Sequence, residues 1–166
     1  MAAPSRIVQP VLDAGGFLHG FTYAGNPLAC AAGKAVLEEI DRLDLVNNAA
    51  NMGDALKAEL ETLARRFPFI GDVRGKGLLL AAEFVSDPES MKPLAKELNA
   101  HQRMIDLAYE RGLIIYSRRT RGGVEGDHFL VCPPMNITRE QIGEITSILG
   151  DTLDELAREL KLPVNG

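Results

Sequence analysis

The eight residues Leu78–Val85 carry seven apolar side chains and one acid, Glu83, and are bounded by glycines on one side and by Ser86-Asp87-Pro88 on the other. An apolar run of this length between turn signals predicts a strand, and a strand this apolar has to be covered by neighbours with apolar faces. Gly71, Gly75 and Gly77 ahead of it leave room for a bulge or a second short strand at Val73.

The flanking segments offer such faces. Leu28, Ala31, Ala35, Val36, Ile40 and Leu43 recur every three or four residues, predicting a helix from Pro27 to Leu43 with one buried stripe. Asn26 suits its N-cap, and Pro27 its first position, where a missing N–H costs nothing. Leu45, Ala49, Met52, Leu56, Leu60 and Leu63 predict a second helix after a bend near Asp44, stopping before Phe67-Pro68. Leu94, Leu98, Ile105 and Ala108 predict a third, closed by Gly112 in the left-handed conformation. Leu113–Tyr116 and Phe129–Cys132 read as two more strands, joined by the polar, Gly-containing stretch 117–128. Thr138 and Gln141 form a capping box flanked by Ile137 and Ile142, and the stripe from Ile142 to Leu160 continues that last helix almost to Pro163. The order helix-helix-strand-helix-strand-strand-helix predicts an α+β fold, with helices over a small, mostly antiparallel sheet. Ile7, Val11 and Leu12 sketch a short N-terminal helix with little of its own to pack against, which suggests either a missing neighbour or a plain surface arm.

Composition narrows the function. With 166 residues, 46 % of them apolar, the chain is of one-domain size. Its net charge of −5 is spread over interspersed acids and bases, without the basic stripe of a nucleic-acid binder, so a small-molecule partner is expected. Cys30 and Cys132 stand far apart and at no metal-ligand spacing, so neither a disulfide framework nor a zinc site is expected. No apolar run reaches the ~18 residues of a membrane span, and MAAPSRIVQP has no signal-peptide core. A soluble, unexported, cytoplasmic protein is expected.

The segment His19–Cys30, HGFTYAGNPLAC, sets Gly20, the Thr22 hydroxyl and Gly25 ahead of a well-capped helix. Free backbone N–H groups and the helix dipole make such a place receptive to phosphate, although the same arrangement serves as a plain loop leading into a helix.

In wording, this segment resembles the class III aminotransferases, and VRGKGLLLAAEF, ERGLIIY and VCPPMNITREQI follow in that family's order, so the resemblance covers nearly the whole chain. It implies the C-terminal portion of a fold-type-I, pyridoxal-phosphate-dependent transaminase: residues 1–26 as a remnant of the large domain with its interface loop, and 27–166 as the small domain. It implies that Thr22 holds the cofactor phosphate of a neighbouring subunit in a homodimer, and that Phe17, His19 and Phe21 shape the substrate pocket. The family's Schiff-base lysine would lie before Met1, so no catalytic residue is assigned within the chain. Lys76, between glycines, is a poor substitute because such a lysine needs a protected pocket. The chain alone is expected to be inactive, as a truncated, split or degraded enzyme. The alternative is a non-catalytic paralogue kept as an interaction module or folded remnant.

Many members of the family carry an arginine shortly before Pro-Pro to grip a substrate carboxylate. Here that stretch is Phe129-Leu130-Val131-Cys132, and Arg118, Arg119 and Arg121 in the preceding loop are either its replacement or a solvated cluster. Amine or amino acid donors both remain open. Asp127-His128 with a distant serine has the residue types of a hydrolytic triad, but a surface histidine is the better reading. Arg74 is expected to pair with a carboxylate or a helix end.

Overall fold

The computed structural model describes residues 3–17 and 19–165. The chain divides after Glu39 into two compact units.

The first unit holds helix α1 (Ser5–Asp13) and most of α2 (Pro27–Arg42). Asn26 caps α2 as expected: its Oδ1 accepts from the Ala29 N–H at 3.1 Å. The stripe predicted to be buried is not: α2 has no buried residue, and Leu28 is 81 % and Val36 59 % exposed. Periodicity had identified a face that needs cover, and nothing within the first unit supplies it. Ile7, Val11 and Leu12 of α1 are likewise exposed.

The second unit, from Ile40, is α+β. Asp44, at φ 51°, takes the left-handed turn that separates α2 from α3 (Leu45–Arg66). A hairpin follows, β1 (Ile70–Lys76) with β2 (Leu79–Asp87), so the glycine-punctuated stretch around Val73 is a full second strand. Next come the short β3 (Lys92–Pro93), a 3-10 turn at Lys96–Leu98 and α4 (Ala100–Glu110). Helix α4 starts later than its apolar spacing suggested, because Asn99 at φ 48° breaks the segment that carries Leu94 and Leu98. Gly112 ends the turn after α4 at φ 82°, as expected.

Strands β4 (Tyr116–Arg119) and β5 (Asp127–Val131) form a second hairpin. Of the predicted strand Leu113–Tyr116 only the last residue is paired, and the arginine-rich stretch read as a loop supplies three residues of β4. Backbone pairing across the hairpin outweighs the polar composition there. Helix α5 (Arg139–Leu160) begins at the capping box, with Thr138 and Gln141 bonded reciprocally, and both flanking isoleucines are buried.

The sheet order is β1-β2-β5-β4, antiparallel throughout, with β3 on the far end of β2. Alternation assigns its faces. Leu80, Ala82, Phe84, Phe129, Val131 and Ser117 are buried on the helix side, where α3 and α4 pack and α5 lies against both helices. Phe67, Phe69, Phe84 and Phe129 run through this core as a chain of ring contacts 5.4–5.9 Å between centroids. The outer face carries Arg74, Glu83, Tyr116, Arg118 and His128. Arg74 meets Asp72 at 2.6 Å and Glu83 at 2.7 Å, the carboxylate pairing expected of it.

Candidate functional site

In the first unit, the rings of Phe17, His19 and Phe21 are gathered together. His19 stands edge-on to both, at 5.7 Å from Phe17 and 4.7 Å from Phe21. The chain then turns through Thr22–Gly25, with the Ala24 N–H donating to Phe21 O and the Asn26 N–H to Tyr23 O. Gly25 takes φ 77°, which a side chain would strain. The turn leaves Thr22 exposed, and its hydroxyl makes no hydrogen bond among the described residues. Three aromatic rings and one free hydroxyl are thus gathered just ahead of a capped helix N-terminus, which suits an anionic group.

In the second unit, the arginines near the hairpin separate by strand alternation. Arg119 faces the core, where Nε donates to Asp127 Oδ1 at 2.5 Å and Nη2 donates to Oδ2 at 3.1 Å and to Lys96 O at 2.9 Å. Asp127 is 3 % exposed and also accepts from the His101 N–H at 3.2 Å, with His101 Nδ1 3.1 Å away. Burial pushes the Asp127 carboxyl up, but the bonds from Arg119 and His101 outweigh it and hold the group below the usual carboxylate range. Asp127 therefore serves Arg119 and the start of α4 rather than a hydrolytic triad. His128 bonds only its own turn, Nδ1 lying 3.0 Å from Gly126 O.

Arg118 faces the other way. With Tyr116, His128, Leu130 and the Gly122-Gly123 turn it lines an open cleft of about 480 Å³. Sequence reasoning named Arg118, and His128 only as a surface histidine, but missed Tyr116 and the cleft that the three share. The available signal was the two-residue period that sets Tyr116 opposite Leu130 and Arg118 opposite His128.

A second cleft, about 700 Å³, lies between α3 and the β1–β2 turn, with Ala49, Gly53, Leu78 and Pro133 in its wall and Lys57 and Lys76 among its polar groups. Neither lysine is buried: Lys57 lies 3.8 Å from Glu61, and Lys76 is exposed at the end of β1. The same holds for Lys34, Lys92, Lys96 and Lys161. None of the six sits in the protected pocket that covalent cofactor chemistry needs.

The family model for class-III aminotransferases matches residues 1–153. An uncharacterized aminotransferase, y4uB of Sinorhizobium fredii, is 36 % identical over 149 residues, covering 87 % of this chain and 31 % of that protein. Among solved structures, a transaminase from the marine bacterium Virgibacillus superimposes with a TM-score of 0.81 at 30 % identity, over 92 % of this chain and 34 % of its own. A PLP-bound amine transaminase from an uncultivated Pseudomonas species gives 0.74 at 34 % identity, over 84 % and 30 %. The chain spans about a third of the length of the curated relatives it matches.

Proposed function

The chain belongs to the class-III aminotransferase family, and from that membership we propose that it forms the C-terminal part of an enzyme that moves an amino group from an amine or amino acid donor to a keto acid or aldehyde acceptor with pyridoxal 5'-phosphate. In this reading residues 1–26 reach toward the cofactor and 27–166 are the small domain.

The observation that carries the reading is the exposed Thr22 hydroxyl, unbonded among the described residues, ahead of the capped helix α2. A free hydroxyl there fits one phosphate oxygen. The lysines, all solvent-accessible, do not fit the cofactor's covalent bond, so this chain supplies a phosphate contact while the covalent anchor belongs to another part of the enzyme. When bound, pyridoxal phosphate supplies the electron sink for amino-group transfer. Thr22 would be the residue that holds the phosphate of a cofactor carried by the neighbouring subunit of a homodimer. Phe17, His19 and Phe21 form one wall of the substrate mouth and keep water from it. Arg118, which bonds no carboxylate among the described residues, is an arginine available for a substrate carboxylate, whereas Arg119 is committed to Asp127.

The exposed apolar side chains of α1 and α2 support a part of a larger enzyme over a self-sufficient interaction module, which would have covered them. Both cysteines are free, which fits the reducing cytoplasm as the location.

Mixing the purified chain with pyridoxal phosphate and an amine donor tests the reading. No turnover and no absorbance band of lysine-bound cofactor are expected; such a band accompanied by turnover overturns it.

A further inference from the structure

We propose that Asp127 is a positioning residue: paired with Arg119, it locks the register of the β4–β5 hairpin and thereby turns Arg118 and Tyr116 into the cleft on the outer face of the sheet. The proposal rests on the reading of that cleft as the place for a substrate acid group.

Strand β4 carries two adjacent arginines, and on a two-residue period they face opposite ways. A slip of one residue against β5 would exchange them, sending Arg119 outward and Arg118 toward the core. The connecting turn gives little resistance, since Gly122, Gly123 and Gly126 all lie at positive φ in a loop whose conformation glycine leaves open. The arginines are chemically alike, so neither charge nor length decides which one faces the cleft.

Asp127 decides it. It stands directly opposite Arg119 in the ladder and grips it with both carboxylate oxygens. The same carboxylate accepts from the His101 N–H in the first turn of α4, fixing the pair to an element outside the hairpin. Ser117, two residues along on the same face, donates from Oγ to His101 O at 2.5 Å, and Arg119 reaches Lys96 O just before α4. In a slipped register the two-pronged pairing, the Lys96 bond and the Ser117 bond are lost together. A two-pronged ion pair with a buried carboxylate is strongly directional, and leaving that carboxylate alone is costly.

The experiment follows the register by nuclear Overhauser contacts across the hairpin, Ser117 to Phe129 and Arg118 to His128, in the full labelled chain, and probes the cleft with succinate. The wild type should show one native set of contacts. Asp127→Asn should split or shift that set and weaken succinate binding at least fivefold, and Asp127→Glu should recover both in part. Arg118→Gln should weaken succinate binding as much while keeping native contacts and an unchanged melting temperature. A single native register in Asp127→Asn overturns the proposal, even if that variant melts earlier. Should Asp127→Asn not fold, Arg119→Lys, which keeps the charge but loses the two-pronged grip, takes its place, and a single native register there overturns the proposal equally. Succinate binding that survives in Arg118→Gln overturns the reading of the cleft instead, and the register contacts still decide the role of Asp127.

Discussion

Gly53, in the middle of α3, lies so close to Gly77 in the β1–β2 turn that a Cβ added at position 53 would sit 2.6 Å from Gly77 Cα and closer still to its carbonyl carbon and oxygen. This backbone-to-backbone approach sets how the first hairpin sits under α3, and no rotamer change relieves it.

Gly53→Ala is therefore expected to destabilise the second unit by about 3 kcal/mol, the upper part of the range for overpacking, although alanine is the better helix former. Urea unfolding followed by circular dichroism measures it. Gly143→Ala, in α5 with nothing within 4 Å of the added Cβ, is the control and should stabilise by about 0.5–1 kcal/mol. Equal effects at the two positions would mean that the contact at Gly53 can relax.

The depressed pKa of Asp127 makes stability depend on pH in a defined direction. The folded value lies below the ordinary value of 3.8, because Arg119 and His101 outweigh burial. Stability from this group is thus fully present above about pH 5, where the unfolded carboxyl is already ionised, and is lost as pH falls through the lower folded value. Asp127→Asn should cost up to about 3 kcal/mol at neutral pH, since it leaves the half-buried Arg119 without its anion. Its stability should also fall less steeply than that of the wild type between pH 5 and pH 2, as measured by urea titrations at each pH. Glu159, facing Arg103, is depressed as well but fully exposed, so its share is screened.

Thr138→Ala should cost about 1 kcal/mol by removing one half of the capping box, read as a lower melting temperature with unchanged helix content.

That box was legible because everything it needs lies within four residues. The helix stop before Phe67-Pro68 and the Arg74 bond to Asp72 were readable for the same reason. Around Val73 the sequence leaves both a bulge and a second strand open, because the pairing of β1 with β2, which also brings Glu83 to Arg74, is not local. What escaped is long-range. Asp127 acts on residues 8 and 26 positions away, and Tyr116 and His128 share a cleft only because β4 pairs with β5. The start of α4 was misplaced because apolar spacing carries through Asn99, whereas the backbone there does not. For Thr22 and the three rings the sequence supplied a wording, and the physical counterpart is a turn that leaves the hydroxyl free.

The stripe on α2 gives the remaining prediction. Leu28 and Val36 were expected to be buried and are 81 % and 59 % exposed, so removing them takes nothing from a packed core. The double variant Leu28→Lys, Val36→Lys should unfold within about 0.5 kcal/mol of the wild type, as surface substitutions do. A contiguous apolar face left in water binds hydrophobic dyes and promotes association. The same variant should therefore bind less anilinonaphthalene sulfonate and stay monomeric to higher concentration in sedimentation velocity runs. If it instead loses several kcal/mol with no change in dye binding, the stripe is packed within the chain in solution, and the argument that it awaits another part of the enzyme fails.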